Sequence, residues 1–187
     1  MRRILLAMCV VVAGTLGSIS LLQANQSQSP ATTPDAPPKL EFLMQFTAEL
    51  DAPQVVGETP QGDRRIVPVI GGSFSGPKLK GQVLSGAGGD WLLFRKDGAA
   101  QLDVRTTLRT DDGALIYVSY RGISIIPPDT RAKIMAGEKV DPSTYYFRTT
   151  PYFETASEKY AWLNKIVTIG VGARTKSSVV YSIYAVK

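Results

Sequence analysis

The sequence predicts an all-β domain, most simply a single closed or nearly closed antiparallel β-barrel of about eight to nine strands with one short helix. Three observations carry this. Short runs rich in β-branched and aromatic residues recur along most of the chain. They are punctuated by Gly-Gly, Ser-Gly, Asp-Gly and Pro-Pro steps, which favour turns over helix continuation. An open sheet of this many strands in one domain would expose long unpaired edges, and closure removes them. A two-sheet sandwich is the alternative architecture.

The chain begins with Arg2 and Arg3 ahead of an apolar run from Ile4 to Leu22, and Leu22-Gln23-Ala24 ends on the small residue that signal peptidase favours. Residues 1–24 are therefore expected to be a secretory signal. A retained membrane anchor is the rival, weakened by Gly14, Gly17, Ser18 and Ser20. Cys9 lies too near the start for a lipoprotein cleavage box. Residues 25–39 are rich in Gln, Ser, Thr and Pro with almost nothing to bury, as expected of a disordered tether. The expected location is periplasmic or secreted, with no membrane contact after cleavage.

The domain is expected over residues 40–187. Leu40, Phe42, Met44 and Phe46 alternate with Glu41, Gln45 and Thr47, the period-two pattern of a half-buried strand. Further strands are expected at 66–70, 78–84, 91–95, 100–108, 114–122, 145–149, 165–171 and 179–186. One segment departs from this pattern. Pro127-Pro128-Asp129 opens a stretch through Met135 with helical spacing, and Gly137 closes it, so a short helix is expected there. Gly71-Gly72 and Gly170 to Gly172 lack the strand-turn-helix setting and lysine of a phosphate loop, and are expected to mark bulges or strand corners.

Composition narrows the chemistry. The chain has 1 cysteine, Cys9, which leaves the domain with none, and 0 histidines. That excludes Ser/His and Cys/His nucleophilic sites and His-ligated zinc, so any catalysis must rest on Asp, Glu, Tyr, Lys or Arg. No metal or cofactor is called for. The net charge of +5 is small and dispersed, with no basic run beyond Arg64-Arg65, which argues against a nucleic-acid partner.

The segments "RRIVPVIGGSFSGPKLKGQVLSGAGGDWLLFRKDGAAQLDVRTTLRTDDGALIYVSYRG" and "YYFRTTPYFETASEKYAWLN" resemble the bacterial and fungal family known as domain of unknown function 3237, or uncharacterised protein family 0311. The resemblance runs from about Leu40 to the C-terminus. It implies an antiparallel barrel similar to the allene oxide cyclase and dirigent barrels, and it implies little about function. Where the family usually has "LPGGADW", this chain has Leu84-Ser85-Gly86-Ala87-Gly88-Gly89-Asp90-Trp91, longer by one small residue.

Candidate site residues fall into three groups. On the strand before the Asp111-Asp112-Gly113 turn, Asp103 and Arg105 share a polar face with Gln101, Thr107 and Arg109. In a closed barrel such a face could line the lumen, with Arg105 holding a carboxylate or keto oxygen and Asp103 orienting the guanidinium. Reading Asp112-Gly113 as a two-residue hairpin sets Leu108 opposite Tyr117 and Thr106 opposite Ser119. Tyr117 and Arg121 would then lie on the other face, with Leu102 and Val104, so both polar sets could line the lumen only across a bulge. Asp111 is kept as a candidate at the rim. The aromatic stretch that follows, with Tyr146, Arg148, Tyr160, Trp162 and Asn164, has the composition of an apolar pocket with a few orienting polar groups. Asp90 and Trp91 could sit at a barrel mouth, Trp91 as a ligand platform. The candidate acid/base residues are thus Asp103, Asp111 and Tyr146. The candidate ligand contacts are Asp90, Trp91, Arg105, Tyr117, Arg121, Arg148, Tyr160, Trp162 and Asn164.

The expected function is binding of a small, aromatic or carboxylated organic molecule by an exported barrel, which is also compatible with a homo-oligomer. A metal-independent lyase, isomerase or cyclase using Asp/Tyr acid-base chemistry is the first alternative. A non-catalytic interaction module of the envelope is the second.

Overall fold

The computed structural model describes residues 37–187; the expected signal, and all of the expected tether up to residue 36, lie outside the described residues. The strands are β1 (Leu40–Leu50), β2 (Gln54–Thr59), β3 (Gly62–Ser75), β4 (Lys80–Val83), β5 (Gly89–Phe94), β6 (Ala100–Thr110), β7 (Leu115–Ile125), β8 (Tyr146–Glu154), β9 (Thr168–Arg174) and β10 (Ser178–Val186). They run in the order β1-β10-β9-β8-β7-β6-β4-β3-β2, and β3 pairs back onto β1 to close the ring. β4 and β5 both lie between β3 and β6, so they act as two halves of one interrupted strand. The result is a closed 8-strand antiparallel barrel with two extra strands, not a sandwich.

The sequence alternation sets which face is inside. In β6, Ala100, Leu102, Val104, Thr106, Leu108 and Thr110 are buried, whereas Gln101, Arg105 and Arg109 are exposed. Each large apolar side chain sent into the lumen contributes about 1.5–3 kcal/mol, so the polar face is driven outward. The lumen is filled: Met44, Phe46, Leu108, Val118, Pro151, Phe153 and Ile183 meet with no room for a water molecule between them.

The turn between β6 and β7 corrects the expected register. Leu108 pairs with Ile116 and Thr107 with Tyr117, one residue away from the two-residue hairpin. A type I′ turn would need positive φ at Asp112, and among the described residues only glycines have positive φ. The chain instead makes a three-residue loop: the Gly113 N–H donates to the Thr110 carbonyl at 2.9 Å, and the Thr110 N–H to the Ala114 carbonyl at 3.0 Å. Gly113 takes the left-handed position with φ of 90°. This extra residue returns Tyr117 and Arg121 to the face of Asp103 and Arg105, with Asp103 directly opposite Arg121. Both polar sets therefore lie outside the barrel, and no bulge is needed.

Three elements were not legible as such. β2 pairs only with β3 and carries Val55 and Val56 exposed. β8 continues through Pro151 to Glu154, paired to β7 throughout but to β9 only at Arg148 and Thr149. Pro151 has no N–H to give a second neighbour, so β9 diverges there. A 3-10 helix at Glu158–Lys165 buries Tyr160 and Leu163. The glycines of β9 are neither bulges nor corners: a Cβ on Gly172 would stand 2.6 Å from the Phe147 ring, so glycine admits that ring into the lumen. At Gly71 the β1/β3 pairing does shift register, as a bulge requires.

The two barrel ends differ. At one, β3, β6, β8 and β10 begin and β1, β7 and β9 finish, and α1 (Pro128–Ala136) connects β7 towards β8. α1 starts on Pro128 and ends at Gly137 in the left-handed conformation, as its sequence signals imply. Its one buried residue is Ile134. The opposite end carries the Asp111–Gly113 loop and the Glu158–Lys165 helix.

Candidate active site at the arginine end of the barrel

Strand parity places a polar cluster inside the α1 end. On β5, Asp90 pairs with Val67 and Val104, both lumen residues, so its carboxyl points inward. It is 9% exposed. Its Oδ1 accepts the Asp103 N–H at 3.1 Å. Burial pushes its pKa up from 3.8 to about 7, and the nearby Asp103 carboxylate adds to the rise; the Asp103 N–H, Arg174 and Arg64 oppose it. Near neutral pH this carboxyl can therefore either give or take a proton.

Tyr120 of β7 and Tyr181 of β10 stand beside it, with ring centroids 5.4 Å apart at 70°. Burial, followed by the neighbouring Tyr181, holds the Tyr120 pKa well above its ordinary value. Tyr181 is raised as well, chiefly by burial, with the Asp90 charge contributing. Both are neutral hydroxyl donors rather than bases. Tyr181 is fixed by stacking on Phe46 at 5.8 Å and by the edge of Phe147 at 5.5 Å.

Cations surround the group. Arg174 ends β9 on the inner face, in step with Thr168, Gly170 and Gly172. Its N–H donates to the Tyr145 hydroxyl at 2.9 Å and its Nη1 to the Ser178 carbonyl at 3.3 Å. Burial lowers its pKa, and the like charge of Arg131 adds to that, against the attraction of Tyr181 and Asp90. Arg131 on α1 lies over Phe94 at 4.8 Å, and Arg65 over the same ring at 5.0 Å. Burial and then Arg65 lower the pKa of Arg131. Arg65 is held by Asp63 at 2.6 Å. Among the described residues neither Arg131 nor Arg174 has a carboxylate within salt-bridge distance. Two part-buried guanidiniums without a counter-ion, beside a carboxyl that ionises reluctantly, make this end receptive to an anion.

Of the residues singled out from sequence, Asp90 alone belongs to this cluster. Trp91, its neighbour, points out, 40% exposed, under the Arg105 guanidinium at 5.3 Å. Asp103 bridges Arg105 at 3.1 Å on the outer face. Tyr117, Arg121, Arg148 and Tyr146 are on outer positions of β7 and β8, with Arg148 over the Tyr146 ring at 5.2 Å. Asp111 pairs with Lys80 at 3.4 Å at the far end. There Tyr160 donates to Asp112, Trp162 lies under Lys78 at 5.6 Å, and Asn164 clamps the Thr155 backbone through both amide atoms. Tyr120, Tyr181, Arg174, Arg131, Tyr145 and Arg65 were not singled out. The usable signal was parity with lumen residues: Tyr120 follows Ile116 and Val118, and Tyr181 precedes Ile183.

Comparison with known proteins finds relatives of the domain as a whole. The sequence profile of the family described as "Protein of unknown function (DUF3237)" matches residues 38–186. A UPF0311 protein of Clostridium acetobutylicum is 37% identical over 147 residues, covering 78% of this chain and 92% of its own length. The crystal structure of a beta-barrel like protein from Acinetobacter baumannii superimposes with a TM-score of 0.72 at 41% identity, covering 84% of this chain and 100% of that one. A hydroalkoxylation enzyme of Penicillium herquei is 27% identical over 135 residues, covering 72% of this chain and 74% of its own length.

Proposed function

We propose a role for this chain, which belongs to the DUF3237 family of proteins of unknown function: an exported β-barrel that binds a small organic molecule, aromatic and carrying an anionic oxygen, at the arginine end of its lumen. The observation that carries the reading is the inward-facing Asp90 beside Tyr120, Tyr181 and Arg174, with Arg131 near Arg174 and neither of these arginines in a salt bridge among the described residues. The guanidiniums take the anionic oxygen, the tyrosine hydroxyls donate to a neutral one, and Phe94, Tyr120 and Phe147 supply apolar walls. Because the lumen below is packed, the ligand enters from the α1 side, where Ile134 is the one buried side chain holding the helix down.

A second reading, an acid-base enzyme without metal, is favoured by Asp90 itself, whose pKa of about 7 suits proton transfer at neutral pH. The relative named as a hydroalkoxylation enzyme supports it. Hydroalkoxylation adds an O–H across a C=C bond. The hydroxyl proton leaves as the C–O bond forms, the π bond breaks, and a proton is added at the other carbon, so no redox partner is required. Asp90 would exchange those protons, in place of Asp103, Asp111 or Tyr146.

One calorimetric series tests both readings. Phenylpyruvate and 4-hydroxybenzoate are titrated into the wild type, Arg174→Met and Asp90→Asn. Binding to the wild type, weakened at least about tenfold in Arg174→Met, is the expected result. Retained binding by Asp90→Asn with loss of turnover of any substrate found would favour the enzyme. Equal binding by wild type and Arg174→Met would remove the site from the arginine end.

A further inference from the structure

The outer faces of β9 and β10 are largely apolar, and their inner faces are apolar apart from Thr168 and Arg174. Inward they carry Gly170, Gly172, Val179, Tyr181 and Ile183; outward they carry Ile169, Val171, Ala173, Val180, Ser182, Tyr184 and Val186, without a charged side chain. A contiguous apolar patch on an outer face, rimmed by polar residues, marks an interaction surface. The adjoining outer face of β8 is Tyr146, Arg148, Thr150, Tyr152 and Glu154, all exposed. No outward residue of β6 to β10 is lysine, whereas tyrosine and arginine recur. An apolar centre with tyrosine and arginine beside it and no lysine is the composition of a protein interface.

The charges on β8 say which partner fits. Arg148 and Glu154 lie on one face of one strand, roughly 20 Å apart at the rise of an extended chain. Among the described residues neither has a salt-bridge partner. The outward order Arg-Thr-Tyr-Glu is self-complementary when read backwards. Two β8 strands laid antiparallel about a two-fold axis at Pro151 bring Arg148 of each copy against Glu154 of the other, and Thr150 against Tyr152.

We propose that the outer face of β8, β9 and β10 is an isologous interface between two copies of this chain, registered by reciprocal Arg148–Glu154 pairs. A two-fold contact needs one patch complementary to itself, and this patch is. The apolar β9–β10 surface supplies the buried area, and the charge pairs set the register.

The test is sedimentation equilibrium of residues 37–187, the barrel domain over which the family profile matches from 38 to 186. The wild type is expected to be a dimer. Arg148→Glu is expected to weaken association at least about tenfold, and Arg148→Glu combined with Glu154→Arg to restore it. Circular dichroism of each variant checks the fold, and Val171→Lys, on the apolar part of the face, should also give monomers. A monomeric wild type, a dimer untouched by Arg148→Glu and Val171→Lys, or no rescue by the double exchange would overturn the proposal. A monomer that binds vesicles or another protein through this face would do so as well.

Discussion

Asp90 shows how far one residue could be read from sequence. Its place beside Trp91 at a Gly-rich loop marks it as a mouth candidate, but adjacent strand residues point to opposite faces, so Trp91 turns away from it. Its partners come from β7, α1, the residue before β8, β9 and β10, and no local pattern joins Tyr120, Arg131, Tyr145, Arg174 and Tyr181. Its raised pKa carries a stability consequence. With a folded pKa of about 7 against 3.8, the native state binds the extra proton between those values. Stability from this group is therefore fully present below about pH 3.8 and is lost as pH rises towards 7, a loss on the order of 4 kcal/mol. Asp90→Asn should raise Tm at pH 8 and leave it little changed at pH 4, as measured by thermal melts across that range. An equal effect at both pH values would mean that Asp90 ionises normally.

The β6–β7 hairpin shows the same limit at the scale of elements. Both strands, and their alternation, were plain in the sequence; the register was not, because Asp112-Gly113 suits either a two-residue or a three-residue loop. What selects the longer loop is side-chain chemistry at a distance. Asp112 accepts hydrogen bonds from Thr110, from Lys159 at 2.6 Å and from the Tyr160 hydroxyl at 3.1 Å. Lys159 first, then Thr110, holds its carboxyl far below the usual range, so this contribution is present above about pH 3.8 and is lost only as pH falls through the depressed value. Asp112 thus fastens the Glu158–Lys165 helix to the β6–β7 turn. Asp112→Ala should speed amide hydrogen exchange across residues 158–165 while leaving the α1 end unchanged. Unaltered exchange there would show that the packing of Tyr160 and Leu163 suffices.

At the scale of the whole molecule, closure into a barrel was legible because it followed from the number of strands and the need to hide their edges. Which face lines the lumen was decided by burial energy: Leu102, Val104, Val118 and Ile183 win the interior over Asp103, Arg105 and Arg121. The outer polar face that looked like a site is thereby separated from the lumen, and the candidate chemistry moves to the end bridged by α1. Nuclear magnetic resonance mapping of the full barrel titrated with phenylpyruvate discriminates these surfaces in one measurement. A ligand at the arginine end predicts shift changes gathered at Asp90, Tyr120, Arg131, Arg174 and Tyr181, spreading into α1. Changes confined to Trp91, Arg105, Tyr117 and Tyr152, with the arginine end silent, would contradict it.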